Sequence, residues 1–213
     1  MTRLIIARHG NTFDPDDTPT RVGKHTDLPL VEKGRLQARA LGHYLKEHAL
    51  IPDVIYSSTL IRTKETATLA LEEAGISLPV HALDIFDEID YGPDENKPES
   101  EVIARLGEDA IKAWDTDSIV PDGWLLDPDI VIRQWQQFAD EISRPDTSSD
   151  QTILVVTSNG VARFAGHITE NYDQFKADYP IKLKTGALGI LRFSGDTWTV
   201  QGWNVVPLLN FFK

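Results

Sequence analysis

Arg8 and His9 stand side by side where a short apolar run, Leu4 to Ala7, gives way to Gly10, Asn11 and Thr12. Both side-chain types can work on phosphate. A guanidinium is a planar fork that donates to two phosphate oxygens at once. An imidazole attacks phosphorus only when neutral, and adjacent positive charge lowers its pKa and favours that form. Gly10 lets the backbone approach a ligand closely. A second apolar run, Val54 to Ser57, leads into Ser58, with Arg62 four residues on. A helix starting there would turn free N–H groups and Arg62 towards the same anion. A third segment ends in acids. Asp84, Asp87, Glu88 and Asp90 are each placed to protonate a leaving oxygen, and position does not choose among them. The acid would need a pKa raised by burial or by neighbouring negative charge. A fourth run ends in Thr157-Ser158-Asn159-Gly160, where Ser158 or Asn159 can cap a helix and still donate to phosphate. Each group alone also reads as a surface pair, a solvated arginine, an acidic loop or a plain turn. The recurrence of one kind of strand end along the chain favours a shared site.

These ends must be brought together by elements of the right kind. Leu4 to Ala7 reads as a buried strand, followed by a polar loop from Asn11 to Leu30. Leu36, Ala40, Leu41, Tyr44 and Leu45 recur at helical spacing and predict a helix over Val31 to His48, stopped by Pro52. Val54 to Ser57 is a strand and Leu60 to Ala74 a helix closed by Gly75. Rough alternation predicts a strand over Val80 to Ile89. A loop over Asp90 to Pro98, a helix from Ser100 to Trp114 with Ser100 as its cap, an irregular stretch to Pro128 and a helix over Asp129 to Ser143 follow. Arg144 to Asp150 reads as a polar turn, Thr152 to Thr157 as a buried strand, and Gly160 to Asn171 as the helix after it. Ala187 to Phe193 and Thr197 to Val200 read as a hairpin turning at Ser194-Gly195-Asp196. Strands alternating with helices predict a three-layer α/β/α sandwich with a mostly parallel central sheet and an antiparallel edge strand. Ligands in such sheets sit at the carboxyl ends of the strands.

The whole chain bounds the reading further. Its 213 residues suit a single domain over 1–213, with about 90–128 as an insertion covering the site. A net charge of −12 disfavours nucleic acid and anionic membrane as partners, so an anionic substrate needs a local cationic pocket. No run approaches the ~20 apolar residues of a membrane span, and no signal peptide is recognisable. Cysteine is absent, which excludes disulfides and thiolate chemistry and suits the cytoplasm. A homodimer is compatible with the sequence. No G-x-G-x-x-G follows a strand and no G-x-x-x-x-G-K-[ST] occurs, which disfavours dinucleotide and P-loop chemistry. His25 reads as a solvated loop residue, His167 as a core-edge histidine, and the five tryptophans as packing.

Taken together, the blocks resemble the histidine phosphatase superfamily, which includes the cofactor-dependent phosphoglycerate mutases. Arg8-His9-Gly10-Asn11-Thr12 is similar to its R-H-G-x-T signature. Asp27-Leu28-Pro29-Leu30 with Gly34 and Gln37-Ala38 is similar to D-x-P-L-x-x-x-G-x-x-Q-A, and Ser57-Ser58 with Arg62 and Thr66-Ala67 to S-S-x-x-x-R-x-x-x-T-A. The resemblance implies that His9 becomes phosphorylated, that Arg8 and Arg62 hold the phosphate, and that Glu88 is the proton donor. It implies Asn11, Thr12, Thr26 and Asn159 as substrate contacts and neither cofactor nor metal. The fourth block departs: Ser158 stands where the family's S-H-G-G-V places a second histidine. A further departure, Tyr91-Gly92-Pro93-Asp94-Glu95-Asn96-Lys97 against the mutases' Y-G-x-L-x-G-L-N-K, favours a phosphatase of a small phosphorylated substrate or phosphoprotein over a mutase. Mutase-type transfer and a catalytically weakened phosphate-binding module are the alternatives.

Overall fold

The computed structural model describes residues 1–144 and 150–209. Most of the polar turn expected at Arg144 to Asp150 lies outside these residues. Strand β1 (Thr2–Arg8) leads to α1 (Glu32–Glu47), β2 (Val54–Ser57), α2 (Ile61–Ala74) and β3 (Val80–Ala82). Then come α3 (Glu99–Leu106), α4 (Glu108–Asp117) and α5 (Pro128–Ile142). Strand β4 (Gln151–Thr157) is followed by α6 (Asn159–Ala162), α7 (Tyr172–Asp178), β5 (Leu188–Ser194) and β6 (Thr197–Val205).

The six strands form one sheet in the order β3-β2-β4-β1-β5-β6. The first four are parallel, so their carboxyl ends share one rim. Strand β5 runs antiparallel to β1, and β6 antiparallel to β5. Alternation along β1 builds two cores. Ile5 and Ala7 pack with Leu41 and Leu45 of α1 and Ala67, Ala70 and Leu71 of α2. Leu4 and Ile6 pack on the opposite face with Trp135 and Phe138 of α5, Phe164 and Phe175. This is the three-layer α/β/α sandwich. No helix among the described residues is long and apolar enough to cross a membrane.

Several expected elements differ, each for a local reason. The third strand stops at Ala82. Leu83 and Phe86 close a 3-10 turn over Asp84–Phe86, and the apolar places that mimicked alternation are Phe86 and Ile89 dropping into the core. The helix expected over Ser100 to Trp114 is two helices broken at Gly107, whose φ of 84° a side chain would resist. Pro98, not Ser100, precedes the first of them. The helix expected over Gly160 to Asn171 ends after one turn, and Asn171 instead caps α7 by accepting from the Gln174 N–H. Strand β6 extends five residues beyond the expected Val200.

The segment from Asp90 to Pro128 is pinned by a buried carboxylate. Asp94 accepts from the Arg105 guanidinium and, at 2.7 Å, from the Trp124 indole N–H. Tyr91, Trp124 and Trp114 stack edge to face, with centroids 4.6 and 5.2 Å apart.

Candidate active site

A cavity of about 740 Å³ opens at the rim where β1 and β4 end. Arg8, His9, Gly10, Asn11 and Thr12 line it from β1, and Glu88, Tyr91, Asn159 and Arg163 close its inner side. The segment after Asp90 supplies a wall through Tyr91, Glu99, Trp114 and Asp115.

The turn that presents His9 exists because two glycines let backbones touch. A Cβ on Gly10 would lie 2.3 Å from the Gly34 carbonyl oxygen, and one on Gly34 would lie 2.1 Å from that of Asn11. The Gly10 N–H donates to the Thr66 hydroxyl at 3.1 Å, which donates in turn to the Arg62 carbonyl. Asn11 is fixed by its N–H to Gln37 and its carbonyl to the Val31 N–H. These contacts give a physical reason for Gly34, Gln37 and Thr66 in the blocks of the second and third motifs.

His9 is buried, and its Nδ1 lies 2.7 Å from the Gly10 carbonyl oxygen. A carbonyl only accepts, so Nδ1 carries the proton and Nε2 keeps a lone pair. The Arg62 Nε–H donates to that Nε2 at 3.2 Å. Burial above all, then Arg62 and Arg8, hold the imidazole well below the usual histidine pKa, against the pull of the Gly10 carbonyl. His9 is therefore a neutral imidazole at neutral pH. Arg62 is wholly buried and anchored by Thr26 and Gly23 carbonyls at 2.9 and 3.2 Å. Arg8 donates through Nη1 to the Leu183 carbonyl at 2.8 Å, and its buried Nε has no protein partner.

The four acids separate by position. Asp87 accepts from the Thr59 N–H and hydroxyl, Asp90 from the Gly92 N–H and His25, and Asp84 is exposed. Only Glu88 of the four lines the cavity that holds His9. Its Oε1 accepts from the Ile89 N–H at 2.9 Å and its Oε2 from the Gly160 N–H at 3.3 Å. Gly160 must be glycine for this, since a Cβ there would sit 2.0 Å from Oε1.

Ser158 is wholly buried, makes no capping bond, and its hydroxyl has no partner in the protein. The helix after it is one turn long and the Gly160 N–H is already given to Glu88, so this turn is not a row of free amides. Asn159 lines the cavity, but its Oδ1 accepts the Leu183 N–H at 2.9 Å and so secures the chain that Arg8 leans on. Thr26 serves through its carbonyl to Arg62, while its hydroxyl donates to Glu95 at 2.6 Å. His25 is exposed against Asp90, and His167 stacks on Tyr172 away from the cavity.

The sequence reading missed four cationic residues of the cavity: Arg21, Lys33, Arg163 and Lys182. Arg163 lies 3.8 Å over the Trp114 ring and donates to the Trp114 carbonyl at 2.5 Å. Arg21 lies 5.1 Å from the Trp124 ring. An arginine one turn past Ser158 was the available signal for Arg163. Nothing local pointed to Arg21 or Lys182, which meet the site only through the tertiary fold.

Comparison with known proteins places this geometry. Residues 4–206 match the family model of the histidine phosphatase superfamily (branch 1). The 2,3-bisphosphoglycerate-dependent phosphoglycerate mutase of Clavibacter sepedonicus is 32% identical over 219 residues, 91% of this chain and 86% of that protein. The enzyme of the same name from Mycobacterium leprae is 32% identical over 196 residues, covering 80% and 78%. Among solved structures, a mycobacterial glucosyl-3-phosphoglycerate phosphatase shares the fold with a TM-score of 0.75 at 23% identity, covering 95% of this chain and 98% of its own. The α-ribazole phosphatase of Shigella flexneri does so with a TM-score of 0.70 at 21% identity, covering 97% and 96%. The family match spans every strand whose end meets at His9, and the chain belongs to the histidine phosphatase superfamily.

Proposed function

We propose that this protein is a phosphatase that removes phosphate from a small phosphomonoester through a phosphohistidine at His9. The observation that carries the reading is the state of the His9 ring: a neutral imidazole, its tautomer set by the Gly10 carbonyl, with Nε2 facing the Arg62 guanidinium. In the free protein the Arg62 Nε–H caps the nucleophilic lone pair. A phosphoryl oxygen is a stronger acceptor than a neutral ring nitrogen, so an entering phosphate takes that donor and leaves Nε2 free to attack. The Arg8 Nε–H and the Ser158 hydroxyl, both without protein partners, supply further donors to the phosphoryl oxygens. Nε2 bonds to phosphorus as the ester P–O bond breaks, and Glu88 passes its proton to the leaving oxygen. Water then attacks phosphorus, gives its proton to the Glu88 carboxylate and releases inorganic phosphate, restoring His9.

The names of the curated relatives favour a second reading, mutase-type transfer, and the Tyr91–Lys97 departure opposes it. Rapid quenching with a labelled phosphomonoester decides the mechanism. Acid-labile, base-stable label on His9, lost in His9→Ala, is expected, with release of inorganic phosphate. Label on Ser158, or none at all, overturns the phosphohistidine. Label transferred to an acceptor sugar acid instead of water establishes the mutase.

A further inference from the structure

We infer that the part of the substrate beyond its phosphate is uncharged and polyhydroxylated, as in a sugar monophosphate, and carries no second anionic group. The inference rests on the phosphatase reading and names its substrate class. It follows from how charge is arranged in the outer cavity. Arg21 is paired with Glu99 at 2.5 Å. Lys182 is paired with Asp115 at 2.9 Å, and the same carboxylate lies 4.0 Å from Arg163. Lys33, Asp14 and Asp17 line the same cavity. Outside Arg8 and Glu88, the lining thus holds four basic and four acidic side chains.

A substrate carboxylate or second phosphate entering beside Arg21, Arg163 or Lys182 would meet a cation already paired with a carboxylate. It would have to displace Glu99 or Asp115 and face their repulsion. A hydroxyl has no such conflict, because it donates to a carboxylate and accepts from a guanidinium or ammonium at once. Paired charges therefore form a set of alternating donors and acceptors that suits vicinal hydroxyls. The uncharged groups that share the wall, Asn11, Thr12, Thr20 and Thr185, offer the same dual chemistry. The volume, about 740 Å³, is within the range of small-molecule sites and exceeds what phosphate alone needs.

The test compares kcat/KM for hexose monophosphates and for 3-phosphoglycerate, with p-nitrophenyl phosphate as the probe of the chemical step. The wild-type chain is expected to favour at least one hexose monophosphate over 3-phosphoglycerate by tenfold or more. Asp115→Asn leaves Lys182 and Arg163 without their carboxylate, and should move that ratio at least tenfold towards 3-phosphoglycerate. Lys182→Gln should move it the other way, and both sites are at the surface, where folding is tolerant of change. Preference of the wild type for 3-phosphoglycerate, or a ratio unmoved by both variants, overturns the inference while phosphohistidine and p-nitrophenyl phosphate turnover keep the phosphatase reading. If p-nitrophenyl phosphate is not hydrolysed either, the phosphatase reading falls. Calorimetric titration of the wild-type chain then decides the subsite, and tighter binding of 3-phosphoglycerate than of every hexose monophosphate overturns it.

Discussion

Ser158 stands where the resembling S-H-G-G-V block has a histidine, and its surroundings give the difference a testable sign. A buried hydroxyl without a protein partner is a cost to the folded state, on the order of 1–3 kcal/mol for an unsatisfied polar group. A capping serine would be the reverse, a source of stability. Ser158→Ala should therefore leave the melting temperature unchanged or raise it, while turnover falls about five- to tenfold for the loss of one neutral hydrogen bond of ~1 kcal/mol. A lower melting temperature with unchanged turnover of the folded fraction would return Ser158 to a structural role. A hydroxyl brings no charge, so in the proposed mechanism the cationic work at the phosphoryl group rests on Arg8 and Arg62. Both are held by backbone carbonyls, Leu183 for the first and Thr26 and Gly23 for the second. Long flexible side chains held in this way would meet an anion already oriented, which reduces the entropy lost on binding.

At the scale of elements, the site depends on one turn pressing on another. The Gly160 backbone at the start of α6 meets the Glu88 carboxyl with no room for a methyl group. Gly160→Ala should push the acid away from its place while leaving His9, Arg8 and Arg62 untouched. Loss of a general acid weighs most on poor leaving groups, by roughly 10²–10⁴-fold. Gly160→Ala and Glu88→Gln are therefore expected to slow an alkyl phosphate far more than an aryl phosphate, with the same split in both variants. Equal losses on the two substrates would remove Glu88 from the proton transfer. Much of this arrangement was legible in the sequence. Strands β1, β2 and β4 are continuous apolar runs, and α1 and α2 carry clear helical stripes, so the rim and the residues on it followed. The stretch after Ala82 was misread because 3-10 turns that drop Phe86 and Ile89 into a core mimic strand alternation. For the segment from Asp90 to Pro128, expected as an insertion covering the site, the contacts that hold it were not legible, for a different reason. Its order comes from distant pairings, such as Arg163 with Trp114 and Asp94 with Trp124, and separations of 49 and 30 residues leave no periodic trace.

Across the whole molecule, a net charge of −12 and a cavity that holds His9 neutral leave opposing marks on acid stability. Acidification relieves the self-repulsion of an acidic protein and in that respect stabilises it. His9 acts the other way. Its pKa is held well below the usual value in the folded state, chiefly by burial and then by Arg62 and Arg8. The unfolded chain therefore takes up a proton at this position first, as pH falls through about 6.5. The stability that depends on a neutral His9 is complete above that pH and is lost below it, approaching about 1.4 kcal/mol per pH unit for one such group. His167, lowered by burial and then by Lys176, adds a smaller loss of the same sign. His9→Gln keeps a polar side chain of similar size and removes the titration, whereas the charge of the rest of the protein is common to both chains. Urea unfolding of the two proteins at pH 7 and pH 5.5 should show the wild type losing about 1 kcal/mol more than His9→Gln over that interval. Parallel profiles would mean that His9 titrates alike in the folded and unfolded chain. The neutral nucleophile, on which the phosphohistidine mechanism depends, would then have to be formed by the substrate rather than by the fold.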